Sequence, residues 1–218
     1  MGYRTLDACT TAANNTAIGQ NAATASTTGN HNVCVGTNCG SNITTASFSS
    51  VIGADLQLGN AVDSNANGIG YGISAVGGYT TLGITTSDIR ALHGSTTWST
   101  VSDRRVKKDI QDSSAGLGFI NDLRPVTFNY KNKGDLPEEF DAYEKDSTEP
   151  YKFATTNHGF IAQEVKAAID KYDFKDGFDL WSEDDNDGRQ RIGEASLIPM
   201  LVKAIQELSE EVKQLKGE

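Results

Sequence analysis

A β-branched residue followed by glycine recurs every 17 residues early in the chain, as Ile18–Gly19 in TAIGQ, Val35–Gly36 in VCVGT, Ile52–Gly53 in SVIGA and Ile69–Gly70 in NGIGY. Three equal intervals in succession restrict the possible folds to architectures that stack one short unit on the next. An apolar pair, a tight glycine and an Asn/Ser/Thr-rich remainder predict either successive coils of a β-solenoid or a fibre woven from several chains. One coil has two or three apolar side chains to bury, too few to offset roughly 1–2 kcal/mol of backbone entropy per residue. Neighbouring coils or sister chains must therefore supply the rest. A flexible linker of the same composition would not hold a fixed period.

The physics changes near residue 102. Residues 1–102 hold two basic and four acidic residues, 14 of the 22 glycines and no proline, whereas residues 103–218 hold 17 basic and 25 acidic residues and all four prolines. This shift predicts a boundary between a β-rich segment, 1–101, and a second domain, 102–218. The net charge of −10 argues against a general nucleic-acid binder, which needs a basic surface. No run is long and apolar enough to insert in a membrane, and the amino end lacks a secretory signal, so synthesis in a cytoplasm is expected. Cys9, Cys34 and Cys39 are odd in number and lack CxxC spacing, so free thiols are expected rather than a disulfide framework or a zinc site.

The second half predicts an α+β unit. AGLGFINDLRP places Leu117, Ile120 and Leu123 at helical spacing and stops near Pro125, and VTFNY alternates Val126, Phe128 and Tyr130 on one strand face. FATTNHGFIAQEVKAAIDKY reads as an extended segment, a turn at Gly159, and a helix burying Phe160, Ile161, Val165, Ala168 and Ile169. FDLWSEDDNDGRQRIGEA reads as a hairpin with Asn186, Asp187 and Gly188 at its tip. Glu183, Asp185, Asp187, Gly188 and Glu194 match part of an EF-hand count, but the first position lacks Asp and the eighth is Gln190, so no metal is expected. The terminal segment has Ser196 as N-cap and Pro199 in the first turn. Its Leu197, Leu201, Ile205, Leu208, Val212 and Leu215 form a coiled-coil seam that points to a homotrimer.

Four motifs in order, SDRRVKKDI, LRPVTFNYK, HGFIAQEV and LIPMLVKAIQELSEEVKQL, resemble the self-cleaving intramolecular chaperone domain at the C-terminus of phage endosialidase tailspikes, tail fibres and neck appendages. The resemblance spans residues 100–216. It implies a trimeric module that guides assembly of the β-rich fibre before it and is then released by autoproteolysis at the serine opening the motif, here Ser102. The repeat segment itself resembles phage fibre shafts and, more loosely, the head repeats of trimeric adhesins. The mature fibre would reside in the virion and bind a host-cell surface receptor. The competing expectation is an adhesin tip whose C-terminal domain stays attached.

A serine hydroxyl needs a base, and His31, His93 and His158 lie in other segments. A lysine serves when neutral, a state favoured by desolvation and by nearby cations such as Arg104, Arg105 and Lys108 around Lys107. The family pattern puts the base five residues on, at Lys107, with Lys108 as fallback. Five residues place side chains on opposite faces of a strand, or about 140° apart on a helix, so contact requires a bend or a neighbouring chain. The scissile bond is expected beside Ser102, at Val101–Ser102 or Ser102–Asp103, and no cofactor is implied. His158 is expected to be structural.

Overall fold

The computed structural model describes residues 2–174 and 179–217. Its contacts divide the chain into two compact units, Met1–Asp109 and Ile110–Glu218.

The first unit is a β-solenoid closed within one chain. β1 (Thr16–Ile18), β2 (Val33–Val35), β3 (Ser50–Ile52) and β5 (Asn67–Tyr71) stack in parallel, pairing Ala17 with Cys34, Cys34 with Val51 and Val51 with Gly68. Each pairing advances 17 residues, the interval of the sequence repeat. β4 (Gln57–Leu58) and β6 (Ser74–Ala75) form a second parallel pair with the same offset. Apolar side chains fill the centre in rows, among them Ala17, Cys34 and Val51 on one and Ala22, Cys39, Leu56 and Ile73 on another. Thus stacked coils, rather than sister chains, supply this core.

Beyond β5 the period breaks. β7 (Tyr79–Ile84) pairs in parallel with β5 at an offset of only 13, Gly68 against Thr81, and then turns back antiparallel into β8 (Ser87–Leu92) and β9 (Ser99–Thr100).

The glycines after the β-branched residues explain why the unit repeats. Gly36 and Gly53 have φ of 135° and 138°, and a Cβ on either would collide with the carbonyl oxygen of the glycine one coil on, Gly53 and Gly70 respectively. Outside the core, polar side chains form their own rows. Asn21 Nδ2 donates to Asn38 Oδ1 (2.9 Å), and Asn38 Nδ2 donates to Asp55 Oδ1 (2.7 Å). All three residues have φ near 50°, a conformation that Asn and Asp tolerate well. The three cysteines are free, with Cys34 and Cys39 buried. Cys39 beside it and burial together push the Cys34 thiol upward from its ordinary range.

The β-branched residues of the motif point the other way. Ile18, Ile52 and Ile69 are 53%, 44% and 55% exposed, and Val35 is half-buried. The residue just before each of them, or in the last coil the Gly68 backbone, faces the core instead.

The second unit is α+β. α1 (Leu117–Asp122) inserts Phe119, 1% exposed, edge-on against Tyr172 and Phe174. Phe119, rather than the Leu117/Ile120/Leu123 stripe, is therefore its anchor, although Ile120 and Leu123 pack at the margin of the same cluster. β10 (Val126–Phe128) pairs antiparallel with β11 (Asn157–Gly159), so Gly159 and His158 lie in a strand rather than a turn. Tyr130 falls beyond β10 and packs edge-on against Phe128. α2 (Ala162–Lys171) buries Val165, Ala168 and Ile169, while Ile161 sits exposed at its N-cap and Phe160 is partly buried.

The hairpin is β12 (Trp181–Glu183) with β13 (Gln190–Ile192); Phe178, where the sequence reading of this hairpin begins, lies outside the described residues. Gly188 at its tip has φ 67°. α3 (Ile198–Lys216) carries Pro199 in its first turn, but its N-cap is Leu197, and Ser196 lies within a preceding 3₁₀ turn. Leu197 and Ala204 bury against the unit, whereas Leu201, Ile205, Leu208, Val212 and Leu215 are exposed. No helix among the described residues is long and apolar enough to cross a membrane.

Candidate active site

The segment from Ser99 to Lys107 is tethered upstream and bent in the middle. β9 is held against β8 by register, with Ile89 opposite Thr100 and Arg90 opposite Ser99, and by Ser99 Oγ donating to the Arg90 carbonyl (3.0 Å). Val101 and Ser102 follow as exposed, irregular backbone. Asp103 then caps a 3₁₀ turn over Arg104–Val106, its carboxylate accepting from the Arg105 backbone N–H at 2.8 Å. The turn closes through the Lys107 N–H to the Arg104 carbonyl (3.2 Å), and Lys107 itself returns to extended backbone.

That single turn supplies the bend that neither a strand nor a helix provides. Lys107 Nζ lies 2.7 Å from Ser102 Oγ, in one chain and within reach for proton transfer. Among the described residues this is the only polar contact of the lysine side chain. Lys108 and Arg104 make none there, so the geometry brings Lys107, and not Lys108, to the serine.

Arg105 folds back on Asp103. Its Nε lies 3.0 and 3.1 Å from the two carboxylate oxygens, and its Nη2 lies 2.5 Å from one of them. These bonds hold the Asp103 carboxyl below its usual range and the guanidinium above its own. Sequence reasoning treated Arg105 only as one of several like charges around Lys107; an acidic N-cap followed two residues later by arginine was the available signal.

The other sequence candidates are placed apart from this site. His93 Nε2 lies 3.3 Å from Asn67 Nδ2, His31 stacks on Phe48 at 5.1 Å, and His158 is exposed on β11. In the hairpin, Asp184 pairs with Arg191 at 2.7 Å and Asp187 with Arg189 at 2.6 Å. Among the described residues no cluster of His, Cys, Asp or Glu could hold a metal ion. The second unit also has a cleft of about 640 Å³ whose lining includes Phe128, Tyr130, Phe140 and Phe160, and the two arginines at its edge are those already paired.

A β-solenoid within one chain, ending in a strand-tethered serine–lysine contact and followed in sequence by an α+β unit, is the class that the fold and this contact define. Residues 102–174 match the family described as chaperone of endosialidase, Peptidase S74, so the segment opening at Ser102 is similar to that family over about a third of the chain. The match ends at Phe174; α3, which the sequence resemblance included, lies beyond it. Comparison with curated proteins and with solved structures gives no match.

Proposed function

We propose that residues 102–218 are a trimerisation chaperone for the solenoid that precedes them, and that the chain then cuts itself beside Ser102 with Lys107 as base. The observation that carries this reading is the 2.7 Å contact between Lys107 Nζ and Ser102 Oγ at the head of the family match. A neutral lysine takes the hydroxyl proton as Oγ attacks a neighbouring carbonyl carbon. Attack on the Val101 carbonyl breaks the Val101–Ser102 amide, passes the proton to the departing Ser102 amine and leaves an ester that water hydrolyses. Cleavage of Ser102–Asp103 instead requires water or a second chain at the next carbonyl. The mass of the released fragment distinguishes the two.

Both side chains are exposed. Desolvation favours the neutral form of an amine, so cutting awaits the burial that assembly would provide. Two apolar rows support a homotrimer as that assembly: Ile18, Ile52 and Ile69 on the solenoid, and Leu201, Ile205, Leu208, Val212 and Leu215 on α3. The mature shaft would belong to a phage tail fibre or tailspike, made in the host cytoplasm, carried in the virion and directed at a host-cell surface receptor.

Ser102→Ala and Lys107→Ala are expected to leave the full-length chain intact on a denaturing gel. Lys107→Arg is expected to fail as well, since arginine stays charged. Efficient cutting in Lys107→Arg would remove the lysine from its role, and an uncut wild-type trimer would favour a permanently attached adhesin tip.

A further inference from the structure

A carboxylate beside the serine threatens any lysine base. Asp103 is adjacent to Ser102 and four residues from Lys107, and a carboxylate within about 4–6 Å of an amine favours its protonated form, which accepts no proton. The other charged groups around Lys107 are Arg104, Arg105, Lys108 and Asp109 on its own segment. In the strand pair upstream, Asp88 and Arg90 close on each other at 2.8 Å. No ion pair joins Lys107 to any of these among the described residues. Asp103 is unavailable for a specific reason: both its oxygens are taken by the Arg105 fork, and one also accepts the Arg105 backbone N–H. The same bonds cap the 3₁₀ turn that carries Lys107 back to the serine.

We propose that Arg105 is a positioning residue for self-cleavage: by chelating Asp103 it fixes the turn and withholds the carboxylate next to the serine from Lys107, leaving Ser102 as the lysine's polar partner. The inference rests on the Ser102/Lys107 reading above. A planar fork does this better than a point charge, because two parallel bonds fix the carboxylate in orientation as well as in distance. The value of the clasp lies in what it keeps Asp103 from doing. As an exposed ion pair it would add little to stability.

The test is a charge cycle read as a pH–rate profile. Full-length chain is made by pulse-labelled cell-free translation, chased in buffers from about pH 6 to about pH 10, the span over which a lysine base gains activity, and the released fragment is timed on denaturing gels. With a lysine base the wild-type rate rises with pH to a plateau. Arg105→Gln is expected to displace that rise upward by about one pH unit, which is about tenfold slower on the rising limb with the plateau recovered at high pH. Asp103→Asn keeps an oxygen to cap the turn but lacks the charge. It is expected to bring the limb back down strongly in the Arg105→Gln background and only weakly in wild type.

An equal effect of Asp103→Asn in both backgrounds would mean that independent charges simply add, and would overturn the clasp. An Arg105→Gln profile identical to wild type would overturn it too. Recovery of cutting in the double variant shows that the chain folds without Arg105, so a loss in the single variant is not mere misfolding. Cutting that persists in Ser102→Ala sinks the underlying self-cleavage reading, whereas Ser102-dependent cutting with an unmoved limb sinks only the role of Arg105.

Discussion

At the scale of single residues, the glycine row sets how closely the coils can approach. Gly53 combines a φ of 138° with a carbonyl in the path of any Cβ, while Gly78, at φ 78°, has open space where a Cβ would go. Gly78→Ala should therefore cost only backbone strain, roughly 1–3 kcal/mol, and Gly53→Ala should cost that strain plus a collision with the next coil. Thermal unfolding of the two variants is expected to show the larger drop in melting temperature for Gly53→Ala. The 17-residue spacing made Gly53 and the other repeat glycines legible in the sequence. The direction of their neighbours was not legible, because in Thr16–Ala17–Ile18 the larger apolar side chain points outward and the smaller one inward. Where large side chains fill the centre the facing position must be small, as at Gly68, where an added Cβ would meet Ala75 at 2.9 Å and Leu56 at 3.2 Å. Cross-section therefore overrides hydrophobicity in the choice of face.

At the scale of elements, one contact joins helices 90 residues apart. Glu207 on α3 accepts the Leu117 N–H at 2.7 Å and so caps α1, whose own N-cap residue is Gly116; a Cβ at Gly116 would strike the Glu207 carboxylate. The Leu117 N–H, and secondarily Lys203, hold the Glu207 carboxyl below its usual range. A carboxyl more acidic in the folded than in the unfolded state contributes stability that is fully present above its unfolded pKa, about 4.3, and is lost as pH falls through its lower folded value. Glu207→Gln is expected to lower denaturant stability at neutral pH and to narrow the difference between neutral and strongly acidic pH. No sequence spacing reveals a cap donated across so long an interval. The serine–lysine contact was half legible for a related reason: residue types and separation named Ser102 and Lys107, but the meeting of their side chains depends on a 3₁₀ turn too short to leave a periodic signal.

At the scale of the whole molecule, the change in charge near residue 102 marked a division that the contacts place at Asp109–Ile110, so the serine–lysine pair belongs to the end of the first compact unit. The solenoid owns its core, and its exposed apolar side chains include the outward row of Ile18, Ile52 and Ile69. A chaperone that trimerises first would raise the effective concentration of these rows and fix which coil faces which, since slipping by one whole period presents the same pattern again. Residues 1–101 expressed alone are therefore expected to give aggregates or detergent-sensitive species. The same segment released from the full chain is expected to sediment as a resistant trimer, held by a high unfolding barrier. Equal solubility and resistance of the two would refute the chaperone role. The break from an offset of 17 to one of 13, followed by antiparallel β7, β8 and β9, has a further consequence. A stack of identical coils is a living polymer end, because its last strand templates the next. Here the stack is quenched: it ends in a meander whose edge strand β9 is two residues long and out of the 17-residue phase, so a solenoid freed of its second unit would end in a dead end rather than a seed for fibril growth.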